Sequence, residues 1–381
     1  MKKWAAAVFV LIVSSVSAQV VNTGFVDTAG GEHLGKIVIG AYADVYANFS
    51  KTGQKLPYMV SSSRNNETAV NLAMIDIRYQ TDNIRARFVP AFGTYMNDNY
   101  ANESGTLKNL LEASVGLRVS KKLNLWMDAG ILGSPYTNEN PVSKDQLMYS
   151  RSLSAENSPY YLSGFKLGLP LRKNISFYAY LINGWQRIQD NNQEPAFGTQ
   201  LEWKPGKNHL INWNTYLGNE ESAARPNDMM RYFTDLYWIG RFGKHWDASA
   251  CVYGGIQQYH LVLPVDSVFG PPPHARLRLH RWWNANAQLR YNAGEHYAFS
   301  GRVEWYNDPG EVFQKALGNQ TGSYRTGSYS LCITRKIDKN ALFRLEYRRF
   351  FSGNDNRSIY PFENQFRDNL DVVTAAVSVW F

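Results

Sequence analysis

Residues 111–119 read Leu-Glu-Ala-Ser-Val-Gly-Leu-Arg-Val. The odd positions Leu111, Ala113, Val115, Leu117 and Val119 are apolar, and the even positions Glu112, Ser114, Gly116 and Arg118 are polar or small. Successive side chains of a strand point to opposite faces, so this segment is a strand with one apolar and one polar face. The same alternation recurs. Phe197, Thr199, Leu201 and Trp203 interleave with Gly198, Gln200, Glu202 and Lys204; Ala285, Ala287, Leu289 and Tyr291 interleave with Asn284, Asn286, Gln288 and Arg290. Phe343, Leu345 and Tyr347 interleave with Arg344, Glu346 and Arg348.

A soluble sandwich shows the same period, so turn spacing must decide between the two. The pattern predicts about 16 strands, near 36–47, 68–80, 83–95, 110–119, 123–133, 160–169, 174–184, 196–204, 209–217, 230–242, 245–257, 281–292, 296–306, 323–336, 340–350 and 369–381. Short connections such as Thr81-Asp82 and Gly243-Lys244 alternate strictly with long ones such as Ala47–Glu67 and Ser134–Pro159. A sandwich has no reason to sort its loops by parity. Short turns at one end and long loops at the other are the pattern of an outer-membrane barrel. Tilted strands of this length cross a hydrocarbon core, and only a closed barrel then satisfies every backbone N–H and C=O. The fold class expected is all-β: a transmembrane antiparallel β-barrel over residues 36–381.

Lys2 and Lys3, the apolar run Trp4–Val13 and the small residues Val16-Ser17-Ala18 predict a signal peptide over residues 1–18, cleaved before Gln19. A periplasmic segment, 19–35, would follow. No later stretch is long and apolar enough for a transmembrane helix. The two lysines supply 2 of the net charge of +8, leaving +6 on the mature chain. No dense Lys/Arg tract or recognition helix accompanies it, so nucleic acid is not an expected partner. Outer-membrane lipid and lipopolysaccharide are. Cys251 and Cys332 read as two small apolar side chains. Val373, Ala375, Val377, Val379 and Phe381 close the chain with an apolar alternation, and the terminal Phe381 resembles the signal read by barrel-assembly machinery.

Arg151–Gly164, RSLSAENSPYYLSG, together with LINGWQRIQ at 181–189, FGTQ at 197–200, MRYF at 230–233 and LNLWMDAGILGSPY at 123–136, resembles the putative β-barrel porin-2, OmpL-like family. The resemblance implies an outer-membrane channel for passive diffusion of small hydrophilic solutes or ions, and supplies no assigned functional residues. It leaves a homo-oligomer open. By analogy with porins of this strand number, the third long loop, 134–159, would fold into the barrel and narrow it. Its candidate constriction residues are Glu139, Lys144, Asp145, Arg151, Glu156 and Asn157. Arg151 and Glu156 could equally serve to pin the loop to the wall.

Asp76, Arg78, Arg85, Arg87, Glu112 and Arg118 occupy the polar phase of the second to fourth strands and are candidates for the lumen wall. Mixed charge of this kind implies a water-filled interior with a mild anion preference. Trp126, Trp185, Trp203, Trp213, Trp246, Trp283, Trp305 and Trp380 fit an aromatic girdle; sugar stacking by a few inward aromatics is the alternative. No HExxH, GxSxG, P-loop or EF-hand spacing occurs, so no catalytic residue, metal or cofactor is expected. His260, His274, His280, Asn97-Asp98-Asn99 and Asp355 read as solvated loop residues before metal ligands. The rival functions are a barrel enzyme of lipase or protease type, and an adhesive or structural barrel without an open pore.

Overall fold

The computed structural model describes residues 35–53, 55–261, 276–314, 324–352, 360–362 and 365–381. The signal-peptide segment, the 271–273 prolines, His274 and Asp355 lie outside the described residues. Sixteen antiparallel strands close into one barrel. They are β1 (Lys36–Phe49), β2 (Thr68–Gln80), β3 (Ile84–Phe92), β4 (Leu110–Ser120), β5 (Leu125–Gly133), β6 (Tyr161–Arg172), β7 (Ile175–Ile182) and β8 (Ala196–Gly206), then β9 (His209–Asn219), β10 (Asp228–Phe242), β11 (Trp246–Leu261), β12 (Arg276–Ala293), β13 (Tyr297–Asp308), β14 (Tyr324–Asp338), β15 (Ala341–Ser352) and β18 (Asn369–Trp380). A small separate hairpin pairs β16 (Tyr360–Phe362) with β17 (Gln365–Arg367). Every expected strand is present, and the alternation of short and long connections holds around the barrel.

Closure joins first strand to last: Tyr42 to Phe49 run antiparallel to Val373 to Trp380. Beyond the ladder, Ala41 and Phe381 exchange both backbone hydrogen bonds at 3.1 Å. No strand edge is therefore left open to hydrocarbon. The alternation sorts by face as expected. Val115, Leu117, Val119, Leu289, Val377 and Val379 point outward, while Asn284, Asn286, Gln288, Arg344, Glu346 and Arg348 are buried inside. An exposed apolar band of this extent is a liability in water and an asset in a bilayer.

The third strand ends three residues earlier than its sequence pattern. Gly93, at φ +124°, turns the chain into α1 (Thr94–Asn99), whose Tyr95 and Met96 are buried. Gly130 on β5 and Gly164 on β6 sit opposite one another in the ladder, both at positive φ. A Cβ on Gly130 would lie 2.2 Å from the Ala113 carbonyl oxygen, and one on Gly164 2.3 Å from that of Leu181. This pair flanks the exit and return of the third loop. Gly130→Ala combines strain with a backbone clash and is expected to cost about 1–3 kcal/mol; the urea midpoint of the detergent-folded barrel measures it.

Candidate channel interior

The third loop, 134–160, lies inside the barrel and follows its inner wall strand by strand. The Tyr136 hydroxyl donates to the Thr215 carbonyl of β9 at 3.1 Å, and the Thr137 N–H to Asp235 of β10 at 2.6 Å. Asn138 donates to Ser249 of β11 and Asn286 of β12 at 2.9 and 3.1 Å. Glu139 accepts from Gln288 of β12 at 2.7 Å and faces Arg302 of β13 at 3.6 Å. The tip reaches β15, β18 and β1: the Ser143 hydroxyl lies 2.6 Å from that of Tyr42 and 3.3 Å from that of Ser378. Arg344 donates to the Ser143, Met148 and Gln146 carbonyls at 2.5, 2.9 and 2.9 Å.

The returning arm is pinned by charge. Glu346 of β15 accepts from the N–H groups of Tyr149 and Ser150 at 2.8 and 2.9 Å, and from the Ser150 hydroxyl. Arg302 donates to the Ser150 carbonyl at 2.6 Å and Arg348 to the Arg151 carbonyl at 2.9 Å. Glu304 of β13 accepts from the Leu153 N–H at 2.5 Å and pairs with Arg348 at 2.6 Å. Arg302, Arg344 and Arg348 are among the most deeply buried side chains of the chain. Carbonyls accept from arginines and N–H groups donate to carboxylates, so an irregular backbone is satisfied inside the barrel by wall charges.

The candidate loop residues divide. Glu139, Arg151, Glu156 and Asn157 are buried in contacts. Arg151 donates to the Tyr95 hydroxyl at 3.1 Å and lies over the Tyr160 ring at 4.6 Å. Glu156 accepts from the Val60 and Ser61 N–H groups of the first loop at 3.1 and 3.3 Å, and from the Tyr160 hydroxyl at 2.8 Å. Burial pushes the Glu156 carboxyl above the usual carboxylate range. Asn157 holds the Leu153 carbonyl at 2.8 Å, closing α2 (Leu153–Glu156), whose N-cap is the Ser152 hydroxyl. Lys144 and Asp145 pair with each other at 2.6 Å at the tip, with Lys144 over the Trp380 ring.

Across the barrel, the wall of β2 to β6 carries the remaining candidates. Asp76 pairs with Arg78 at 2.7 Å and Arg87 at 2.9 Å, Glu112 with Arg87 at 2.6 Å, and Asp128 with Arg85 at 2.5 Å. The arginines are thus an ion-pair ladder, not a bare basic stripe. Arg118 has no carboxylate within salt-bridge distance among the described residues; its guanidinium carbon sits 4.8 Å from the Trp126 ring centre. Lys166 of β6 joins this wall, its Nζ 4.6 Å from the Tyr178 ring. Sequence reading passed over Asp128 and Lys166, although both continue the polar phase of their strands.

Two expectations need correction. Trp203, Trp213, Trp246 and Trp283 do face outward, but Trp126 and Trp185 are buried in the interior. Nor is the interior uniformly polar. Leu56, Tyr58 and Met59 of the first loop, Tyr136 and Leu153 of the third, and Trp185 pack with Phe233, Tyr253, Trp282 and Tyr306 of the wall into one apolar cluster, with Phe313 against it. Trp185 stacks on Phe313 at 5.4 Å and meets Phe233 edge-on at 5.1 Å; Arg231 lies within 5 Å of both the Trp185 and Phe313 rings. An apolar patch inside a barrel is covered best by apolar loop residues, which is why these loops turn inward.

Outside the strands, Asp98 accepts from Lys55 at 2.8 Å, Ser63 at 2.7 Å and Arg64 at 2.9 Å, tying the first loop to the second. Burial alone would raise its carboxyl; these partners outweigh that and hold it below the usual range. The Asn97-Asp98-Asn99 run is thereby occupied by ion pairs. His280 stacks on Tyr259 at 5.4 Å. Cys251 and Cys332 are free and buried.

A model of the family described as putative β-barrel porin-2, OmpL-like, matches residues 36–381. The chain belongs to this family. Solved structures agree on the fold. An anion-selective porin from Comamonas acidovorans matches at TM-score 0.58 and 8% identity, over 91% of this chain and 100% of that one. The outer membrane channel DcaP of Acinetobacter baumannii matches at TM-score 0.60 and 11% identity, over 91% and 97%. The trimer form of Vibrio cholerae OmpT matches at TM-score 0.53 and 8% identity, over 92% and 100%. No curated protein matches the chain in sequence. Family and fold place the barrel in the outer membrane and support a porin-type channel.

Proposed function

We propose that this chain is a porin for passive diffusion of small hydrophilic solutes, with a mild anion preference, its bore set by the third loop. One observation carries the reading: the loop is bonded along the inner wall from β9 round to β1, opposite the charged wall of β2 to β6. A solute path between those two surfaces would run past the Arg78, Arg85, Arg87 and Arg118 side chains on one side and the Lys144–Asp145 tip on the other. Charged walls at such a constriction bias which ions pass. The reversal potential of the reconstituted barrel across a potassium chloride gradient tests this. A modest shift toward the chloride potential is expected; cation selectivity would overturn it.

Export by cleavage after residue 18, recognition of Phe381 during assembly, contact with lipid and lipopolysaccharide, and a homo-oligomer belong to the same proposal. A second reading is favoured by the apolar cluster formed by the first, third and fourth loops with Phe313. It is a barrel whose loops fill its mouth, leaving an adhesive or structural role. Entry of sugars into liposomes carrying the folded protein separates the two: swelling supports diffusion, and its absence supports the filled barrel.

A further inference from the structure

The charge ledger of the β2 to β6 wall does not close. Apart from Arg172, exposed at the rim, the inward cations are Arg78, Arg85, Arg87, Arg118 and Lys166, against Asp76, Glu112 and Asp128. Each of the three carboxylates is already engaged by Arg78, Arg85 or Arg87. Neither Arg118 nor Lys166 has a carboxylate within salt-bridge distance among the described residues: Arg118 lies 4.8 Å from the Trp126 ring and Lys166 4.6 Å from that of Tyr178, and the carboxylate across the ladder from Lys166, Asp128, is held by Arg85. The Arg118 Nε is buried with no hydrogen-bond partner. Glu202, on β8, is paired with Lys204 at 2.8 Å.

A half-buried cation without a carboxylate of its own is costly, and a ring face compensates it only in part. The rings here also fix the two side chains in place. The Trp126 indole N–H donates to Asn124 of the adjacent short turn at 3.1 Å, and the Arg85 guanidinium packs on the same indole at 4.4 Å. Trp126 lies opposite both Arg118 and Gly168 in the ladder, and Gly168 opposite Tyr178. Both cations thus belong to one patch of wall, with strands β4 and β6 about 10 Å apart. Long side chains cover that span, and an anion between them would close the ledger.

We propose that Arg118 and Lys166 form the cationic side of an oxyanion-binding site on the lumen wall, which takes a small carboxylate or phosphate from solution. This deepens the porin reading by naming its preferred solute class, and it rests on that reading for access to the site. Trp126 and Tyr178 are positioning residues; the ion-paired arginines supply background potential. The site lies toward the short-turn end of the barrel, since Arg118 is the third residue before that turn.

The test measures block of potassium chloride current by added phosphate or acetate in bilayers, with calorimetric titration of the same anions into the detergent-folded barrel. Arg118→Gln, Lys166→Gln and the double variant are compared with Lys51→Gln, an exposed loop control. Heat-modifiable migration confirms folding of each. Saturable block and binding are expected, weakened about tenfold by each lumen substitution and unchanged in the control. Phosphate acting without acetate would assign the site to phosphates, and the reverse to carboxylates. A double variant that binds as tightly as the native chain overturns the site. A native chain that conducts without binding either anion overturns it too. A barrel that binds but does not conduct upholds the site and overturns the porin reading.

Discussion

Glu346→Ala is expected to lower the stability of the folded barrel by about 3–5 kcal/mol, the cost of breaking a buried charge network from one side. Glu346 accepts from the Tyr149 N–H, the Ser150 N–H and the Ser150 hydroxyl, and it faces Arg302 at 3.5 Å. Removing the carboxylate leaves two loop N–H groups without acceptors and takes one counter-charge from Arg302. Arg302 keeps Glu304 at 3.3 Å and Glu139 at 3.6 Å, so the loop is loosened at its returning arm while its outward arm stays held. Glu346→Gln retains an acceptor and should lose only about 1–2 kcal/mol. Urea unfolding of the detergent-folded barrel, read by heat-modifiable migration, measures both. Equal loss in the two variants would contradict this division, because it would show that a neutral acceptor cannot stand in for the carboxylate at all.

Replacing residues 138–155 by a short Gly–Ser linker should raise conductance severalfold. The segment contains the Lys144–Asp145 tip, all but the last residue of α2 and the backbone groups that cover Arg302, Arg344 and Arg348. Without it, those arginines, together with Glu304 and Glu346, would line open water. Because the barrel wall closes through strand pairing independent of the loop, the ladder between β1 and β18 should still form. The measurement is single-channel conductance of the excised and intact chains side by side. No change in conductance would mean that the bore is set elsewhere, with the apolar cluster around Trp185 as the first candidate.

Much of the wall was legible in the sequence because a strand has period two and each residue declares its face. Alternation alone sets Arg78, Arg87, Glu112 and Arg118 on the polar phase of their strands, where Arg78 and Arg87 meet Asp76 and Arg87 meets Glu112. Strand ends were less legible where a residue at positive φ turns the chain, as at Gly93. The loop was legible as a segment but not in its bonding. Nothing local to Glu139 or Glu156 indicates that one meets Gln288 and the other the Val60 and Ser61 N–H groups, because those partners are distant in sequence. Arg344, Glu346 and Arg348 read as ordinary polar-phase residues; their role as loop anchors exists only once the barrel brings β15 beneath residues 143–151. Trp126 misled for a different reason. Its place beside a short turn fits an interface ring, yet its phase is even, in step with Asp128, and so it faces inward beneath Arg85 and Arg118.

The central claim is that the space between the third loop and the β2 to β6 wall is a water-filled path. Planar-bilayer recording of the intact, purified and folded chain tests it most directly. Discrete, reproducible current steps that scale with salt concentration are expected. A preparation shown to be folded by its heat-modifiable migration, yet electrically silent across the voltage range, would contradict it.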